Sequence, residues 1–212
     1  MNILDVNQLQ VIRNEQAIFT DLSFCLQDRQ RLFLQGDIGS GKSTLLHSLL
    51  GFVPHAQGEI RWFGQLCRQE RDFVPLRGGR VGICFQHSAD QLFGPTVLDD
   101  VAFGPLNQGL NKNQAYDIAL RQLERLDITR LKDRSVNTLS GGEQNFTALA
   151  GVLSMQPQVL LLDEPTNGLD AKNIAKLTAL LRELSLPMII ASHDQVFIST
   201  LTDPNRDLSL QF

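Results

Sequence analysis

The chain has 212 residues, of which 42% are hydrophobic and 20% are charged, and its formal net charge is -4. This composition is typical of a soluble globular protein with a sizeable core. The acidic balance provides no overall basic field, so nucleic acid is not expected as a partner.

Neither a disulfide framework, a zinc site nor a membrane span is predicted. The three cysteines, Cys25, Cys67 and Cys84, are an odd number without C-x-x-C spacing and are interpreted as core residues. Residues 1–10 lack the apolar core of a signal peptide, and no window approaches the roughly 18 apolar residues of a transmembrane helix. If the protein works at a membrane, a partner is expected to hold it there.

Three short apolar runs open the chain and are predicted to be strands. Polar turns at residues 13–15 and 27–29 separate them. The runs lie at residues 3–6, 17–24 and 31–34.

Residues 36–44 read Gly-Asp-Ile-Gly-Ser-Gly-Lys-Ser-Thr, between the third run and a helix predicted at residues 45–50 with Gly51 as its cap. This pattern is typical of a phosphate-binding loop. Its glycines leave backbone N–H groups free to surround phosphates, its lysine reaches the β- and γ-phosphates, and its serine hydroxyl suits Mg²⁺. ATP, or a close relative, is therefore predicted to bind with Mg²⁺. The predicted binding residues are Gly36, Gly39, Ser40, Gly41, Lys42, Ser43 and Thr44.

The later apolar segments alternate between strand-like and helix-like patterns. Asn111 followed by Gln114 predicts a helix N-terminal cap, and Trp62 is predicted to be partly buried in a strand. The alternation predicts an α/β fold with a buried parallel sheet and a subdomain boundary near Gln86. Strands are predicted at residues 58–64, 81–85, 159–162, 187–191 and 208–212, and helices at about 111–127, 143–155 and 172–184.

An acidic pair, Asp163 and Glu164, follows the apolar strand at residues 159–162. Side chains at the carboxyl end of a parallel strand face the binding site. Asp163 is predicted to hold Mg²⁺ beside Ser43, and Glu164 to be the base that polarises the attacking water. A base in this position contributes roughly 10²–10⁴ to the rate. With the phosphate loop, the pair predicts a nucleotide hydrolase.

Residues 139–143 read Leu-Ser-Gly-Gly-Glu and place Ser140, Gly141 and Gly142 at the start of a predicted helix. Such a start is a second anion cradle, although an ordinary helix cap is the alternative. Because one chain needs only one cradle, we expect the second to grip the γ-phosphate bound by another copy or a homologue. This predicts a head-to-tail dimer with nucleotide at its interface.

The motifs resemble those of the ATP-binding-cassette (ABC) ATPases in order and spacing. The resemblance covers nearly the whole chain and implies a P-loop, RecA-like parallel-sheet core with an N-terminal antiparallel β-subdomain and an inserted α-helical subdomain. It implies one nucleotide-binding domain at 1–212, with the core and β-subdomain at 1–86 and 156–212 and the helical subdomain at 87–155. The motifs are a Walker A loop at 36–43, a Q-loop at Gln86, a signature at 139–143, a Walker B strand at 159–163, a D-loop at 167–170 and a switch histidine, His193.

The same resemblance implies a role for each residue. Gln86 would sense nucleotide and contact Mg²⁺ or the attacking water, Glu164 would be the base, and His193 would hold the γ-phosphate. Asp170 would couple the two sites of the dimer. The implied Mg²⁺ ligands are Ser43, Gln86 and Asp163. Considered alone, Gln86 and His193 are ordinary polar residues at strand ends.

Residues 89–105 resemble the ATPases of energy-coupling-factor importers. By this resemblance the segment would form a short helix and a groove that receives a coupling helix. The implied partners are a transmembrane coupling subunit and a substrate-binding membrane subunit, on the cytoplasmic face of a bacterial-type cell membrane. Cobalt or nickel ions are the nearest implied solutes, and vitamins are the alternative.

Three features depart from the family's pattern. The segment that matches its adenine-stacking aromatic reads Val11-Ile12-Arg13, so reduced adenine affinity is expected. Residues 144–146, Gln-Asn-Phe, replace basic residues after the signature. The chain also ends soon after His193, so dimers are expected to depend mainly on ATP and membrane partners.

Two other functions are alternatives to that of a transporter motor. A cassette acting on nucleic acid or ribosomes is disfavoured by the acidic balance. A nucleotide-gated subunit without productive turnover is motivated by the missing aromatic and the altered signature helix. Against it stands the complete set of Lys42, Asp163, Glu164 and His193.

Overall fold

The computed structural model describes residues 2–13 and 15–212. Met1 and Asn14, which belong to the predicted start and first turn, lie outside the described residues. The strands are β1 (Asn2–Arg13), β2 (Gln16–Gln27), β3 (Arg31–Gln35), β4 (Gln57–Trp62), β5 (Gln65–Cys67), β6 (Val81–Cys84), β7 (Val159–Asp163), β8 (Met188–Ala191) and β9 (Leu208–Gln211). The helices are α1 (Lys42–Leu49), α2 (Glu70–Pro75), α3 (Val97–Asn107), α4 (Lys112–Arg125), α5 (Gly141–Ser154), α6 (Ala171–Glu183) and α7 (Gln195–Leu201).

A five-stranded sheet in the order β6-β7-β8-β3-β9 forms the centre of the molecule, and its neighbouring strands are parallel. Every residue of β3, β7 and β8 is buried. These strands consist mainly of aliphatic residues because helices or a second sheet cover both faces. The predicted parallel-sheet core is therefore present.

Alternate residues of these strands point into two different hydrophobic clusters, as the two-residue period of a strand requires. Leu160, Leu162 and Ile190 pack with helices α3 to α6. Leu161 and Ile189 pack on the opposite face, with α1 and the second sheet. The central sheet thus separates two cores.

The second sheet has the order β2-β1-β4-β5 and is antiparallel. In β4, Trp62 is only 1% exposed, and its Nε1 donates a hydrogen bond of 2.7 Å to the carbonyl oxygen of Leu49 at the end of α1. The prediction of a partly buried Trp62 was wrong because α1 covers the indole from the adjacent layer.

Several element boundaries differ from the sequence-based expectation. The first strand extends to Arg13, beyond its apolar run, because β1 pairs with both β2 and β4. Helix α5 begins at Gly141 with Ser140 as its cap, two residues before the predicted start. The capping pair Asn111 and Gln114 is confirmed at the start of α4. Helices α2 and α7 were not predicted.

A buried ion pair connects β3 to the segment before β9. Arg31 Nη1 lies 3.5 Å from Asp207 Oδ2, and the two side chains are 7% and 0% exposed. The carboxylate also accepts a 2.9 Å hydrogen bond from the backbone N–H of Arg31. The remaining guanidinium contacts are donations to the carbonyl oxygens of Leu181 and Leu201. This network fixes the edge of the central sheet.

Over the described part of the chain, no helix is both long and apolar enough to cross a membrane.

Candidate active site

Four sequence motifs meet at one edge of the central sheet. Gly36 follows β3, Gln86 lies two residues after β6, Glu164 follows β7 and His193 lies two residues after β8. The strands are in register, since Cys84 pairs with Leu162 and Ala191 pairs with both Leu34 and Asp163. The carboxyl ends of parallel strands form the binding edge of such a sheet.

The phosphate loop is pressed against the β1–β2 hairpin. Gly41, the N-cap of α1, has a φ of 102°, which favours glycine. A Cβ at Gly41 would lie 2.6 Å from Ile18 Cγ2 and 2.9 Å from Phe19 Cζ. A side chain at this position is therefore excluded both by backbone conformation and by the hairpin. The N-terminal end of α1 faces the same loop, and its N–H groups favour an anion.

Lys42 lies within the loop and is 5% exposed. Its ammonium group donates to the carbonyl oxygens of Gly36 and Asp37 at 2.8 and 2.9 Å. It also lies 3.7 Å from Glu164 Oε1. A buried ammonium held in this way is a point charge that can be shared with phosphate oxygens.

Glu164 lies between the lysine and the histidine. Its Oε2 is 2.8 Å from His193 Nδ1 and accepts a 3.3 Å hydrogen bond from the backbone N–H of His193. Glu164 has a φ of 47°, a left-handed conformation that a non-glycine residue adopts at a cost. This turn directly after β7 directs the carboxylate toward the loop.

The side-chain oxygen atoms of Ser43 and Asp163, two of the residues predicted to hold Mg²⁺, lie side by side. Ser43 Oγ donates to Asp163 Oδ1 at 3.0 Å. Burial raises the pKa of Asp163, and the hydrogen bond from Ser43 opposes that shift. A divalent cation beside the carboxylate would favour its charged form. Within residues 2–13 and 15–212, no group of three His, Cys, Asp or Glu side chains suits a metal. Mg²⁺ bound here would take most of its ligands from phosphate and water, which is common for this ion.

A cavity of about 460 Å³ joins these groups, which is large enough for a small-molecule ligand. Three predicted residues, Gly36, Ser40 and Asp163, do not line the cavity. Gly36 and Asp163 are hydrogen-bonded to Lys42 and Ser43, which do line it, and Ser40 Oγ is buried without a hydrogen-bond partner in the described structure. The loop and the lysine suit a phosphate chain. The predicted residues that line the cavity are Gly39, Gly41, Lys42, Ser43, Thr44, Gln86, Glu164 and His193.

The signature residues Ser140, Gly141 and Gly142 and the D-loop residue Asp170 do not line this cavity. Ser140 caps α5 together with Glu143, whose carboxylate accepts hydrogen bonds from the Ser140 backbone N–H and hydroxyl at 3.0 and 3.1 Å. Gly141 faces a neighbouring hollow that shares Gln86 and Asn167 with the cavity, and Asp170 caps α6. Within one chain, the two predicted cradles therefore remain apart.

The cavity also includes four residues that were not predicted as ligands. Arg13 and Ile18 belong to the β1–β2 hairpin, Ile38 to the phosphate loop and Asn167 to the turn after Glu164. No pattern in the sequence marks Ile18 as a ligand, because the hairpin reaches the loop only through tertiary packing. Ile38 lies within the predicted loop but at a position where the motif accepts any residue. Asn167 lies in the D-loop motif, and this motif was the one feature of the sequence that could have indicated its place in the cavity.

The model of the family described as ABC transporter matches residues 19–167, which is more than half of the chain. The chain belongs to the ABC transporter family. It is 68% identical over 200 residues to an ABC transporter ATP-binding protein of Haemophilus influenzae, covering 94% of this chain and 92% of that one. It is 35% identical over 185 residues to the energy-coupling factor transporter ATP-binding protein EcfA of Methanosphaera stadtmanae, covering 86% and 66%.

Solved ABC cassettes have the same fold. CbiO1 from Clostridium perfringens, described as part of the ABC transporter complex CbiONQ, has a TM-score of 0.80 and 33% identity over 91% of this chain and 79% of that one. A dimeric bacterial ABC transporter cassette has a TM-score of 0.86 at 22% identity, covering 98% and 94%. The predicted P-loop cassette fold is confirmed. As a member of this family, the chain is an ATP-binding ATPase subunit of a transporter.

Proposed function

We propose that this ABC ATPase is the motor subunit of an energy-coupling-factor importer and works at the cytoplasmic face of the cell membrane. The observation that carries the proposal is an apolar groove that is linked to the nucleotide cavity through the hydrogen bonds of Gln91. The groove has a volume of about 300 Å³ and lies between α3 and α5. Similarity to EcfA and CbiO1 supports the importer type.

Two exposed phenylalanines form one wall of the groove. Phe93 and Phe103 are 63% and 45% exposed, and their rings pack edge to face with centroids 4.5 Å apart. Asp100 accepts hydrogen bonds from the backbone N–H groups of Phe93 and Gly94 at 2.9 and 2.7 Å, which holds this wall on α3. An exposed aromatic pair beside a groove suits the apolar face of an amphipathic helix. The proposed occupant is the coupling helix of the transmembrane subunit.

A glutamine connects this groove to the active site. Gln91 lines the groove, accepts a hydrogen bond from the backbone N–H of Phe85 at 3.2 Å and donates one to the carbonyl oxygen of Ile83 at 3.1 Å. Phe85 immediately precedes Gln86, which lines the nucleotide cavity, and Ile83 lies three residues before Gln86. Movement of Gln86 on nucleotide binding would therefore displace the groove wall. This continuity supports coupling between hydrolysis and the membrane partner.

In the proposed mechanism, the residues that hold the phosphate chain are Gly36, Gly39, Ser40, Gly41, Lys42 and Thr44. Ser43 and Asp163 would hold Mg²⁺, and Gln86 would contact this ion or the attacking water; the ion would supply neutralisation of the phosphate charge. Glu164 accepts a proton from the attacking water, and His193 contacts the γ-phosphate. The signature residues Ser140, Gly141 and Gly142 complete the site of a second copy or homologue, and Asp170 couples the two sites in a head-to-tail dimer. The helical segment at residues 87–155 moves with the groove.

The solute is proposed from the family resemblance alone. Cobalt or nickel ions are the first candidates, and vitamins are the alternative. A substrate-binding membrane subunit selects the solute, since this chain forms the ATP site.

The decisive experiment measures ATP turnover and solute uptake in the complex of this chain with its membrane subunits. We expect Lys42→Ala to abolish both. Phe103→Ala is expected to weaken recovery of the membrane subunits while leaving ATP binding unchanged. Val196→Ala is the control, because Val196 is 75% exposed on α7 and does not line the groove.

Other outcomes would favour the alternatives. Recovery of ribosomes or nucleic acid instead of membrane proteins would contradict the transporter assignment. Tight ATP binding with turnover no higher than that of Lys42→Ala, even in the complex, would favour a nucleotide-gated subunit. Export of solute would contradict the importer type.

A further inference from the structure

Three residues that line the nucleotide cavity, Arg13, Ile18 and Ile38, are neither catalytic groups nor glycines of the phosphate loop. Ile38 is 85% exposed although it is a large aliphatic residue. A nucleotide whose phosphates lie on Lys42 must place its base against other lining residues, and these three side chains are available to contact it.

No aromatic ring other than that of His193 lines the cavity within the described residues. The hairpin does contain an aromatic residue, Phe19, but its ring is 8% exposed and packs edge to face on Phe212 at 5.3 Å. The same ring lies where it would be 2.9 Å from a Cβ at Gly41. Phe19 therefore supports the loop and is not free to stack on a base.

Arg13 is the last residue of β1, where it pairs with Gln16 of β2, and it is exposed. Among residues 2–13 and 15–212, no carboxylate lies within ion-pair distance of its guanidinium group. Its charge nevertheless acts on α1 below the loop. Burial lowers the pKa of His47, Asp163 opposes that shift, and the charge of Arg13 adds to the lowering.

We propose that Arg13 stacks its guanidinium plane on the adenine ring, while Ile18 and Ile38 provide the apolar contacts. Guanidinium planes stack on nucleic-acid bases, and an arginine near an aromatic face also gains cation–π attraction. A lysine lacks the plane and would not replace it. Arg13 thus performs the stacking role for which the sequence contains no aromatic residue.

The inference rests on the proposed position of the phosphates at Lys42, and the test separates the two. We would titrate the full chain, with Mg²⁺ present, with ADP and with inorganic tripolyphosphate. Tripolyphosphate reports on the loop alone, whereas ADP also reports on the base. Lys42→Ala is expected to weaken the binding of both ligands. Arg71→Ala, an exposed arginine on α2, is the matched control and should change neither.

Arg13→Ala is expected to weaken the binding of ADP by about 5-fold or more, which is the effect of removing one stacking partner. The affinity for tripolyphosphate should stay within about 2-fold of that of the wild type. Arg13→Tyr should retain ADP affinity, whereas Arg13→Lys should resemble the alanine variant. Equal weakening of both ligands by Arg13→Ala would show that Arg13 binds phosphate and would overturn the proposal. Unchanged ADP affinity, or lysine serving as well as arginine, would also overturn it. If the alanine variant does not fold, the tyrosine–lysine comparison decides the question.

Discussion

Gly41→Ala is expected to damage the phosphate loop in two ways, through backbone strain and through overpacking against the β1–β2 hairpin. The new Cβ would lie 2.6 Å from Ile18 Cγ2 and 2.9 Å from Phe19 Cζ, in a backbone with a φ of 102°. The left-handed backbone costs a residue with a side chain about 1–3 kcal/mol. Overpacking against the hairpin costs about 1–3 kcal/mol more. The sum is about 2–6 kcal/mol of unfolding free energy.

Two further glycines separate these contributions. Gly39 has a φ of 86° but no atom within 4 Å of an added Cβ, so Gly39→Ala should cost only the backbone part, about 1–3 kcal/mol. Gly151 lies inside α5 with no atom within 4 Å, and Gly151→Ala should stabilise the protein by about 0.5–1 kcal/mol. The expected order of stability is Gly151→Ala, wild type, Gly39→Ala and then Gly41→Ala.

Urea denaturation followed by tryptophan fluorescence would test this order, because Trp62 lies in the sheet next to α1. Titration with ADP would show whether the loop moves to relieve the clash, since a displaced loop binds phosphate more weakly. The reasoning would be refuted if Gly41→Ala matched Gly39→Ala in both stability and ADP affinity. This result would show that the hairpin does not exclude a side chain at residue 41.

Three further substitutions test the catalytic base and the core. Glu164→Gln should lower ATP turnover in the complex by a factor of roughly 10²–10⁴ while ATP still binds. The control variant Glu183→Gln, at an exposed position, should leave turnover unchanged. Unchanged turnover in Glu164→Gln would show that Glu164 is not the base. Asp207→Ala should lower the free energy of unfolding, measured by chemical denaturation, by about 3–5 kcal/mol, because the charge of Arg31 is then buried without its carboxylate. A decrease below about 1 kcal/mol would contradict this. Trp62→Phe should lower the free energy of unfolding by about 2–4 kcal/mol, since the buried carbonyl group of Leu49 loses its donor and a cavity remains. A thermal unfolding midpoint equal to that of the wild type would argue against a stabilising hydrogen bond between Trp62 and Leu49.

Much of the central sheet could be predicted because its strands carry a local signal. A run such as that of β7, in which every residue is apolar up to Asp163, indicates a strand buried on both faces. The phosphate loop is also a local signal, since Lys42 and its glycines are neighbours along the chain. The placement of Glu164 followed from its position after such a strand, whereas that of His193 rested on the family resemblance. The structure brings both to the same cavity as the loop.

Features that depend on contacts between layers could not be predicted. Trp62 was expected to be partly exposed, because nothing in its own strand indicates that α1 covers it. Helix α7 has too few residues for a clear helical period, and it is stabilised by packing against α6.

The chain alone was sufficient for the phosphate loop, the acidic pair and the fold class, because each arises from residues close together in sequence. The family resemblance pointed to residues 11–13 as the segment near the base, but only the folded molecule shows that the Arg13 side chain lines the cavity, since more than twenty residues separate it from the phosphate loop. The same holds for the groove beside Phe103, whose walls come from α3 and α5. Local pattern thus predicts the phosphate-binding chemistry, whereas the surroundings of the base and the docking groove arise from the packing of distant elements.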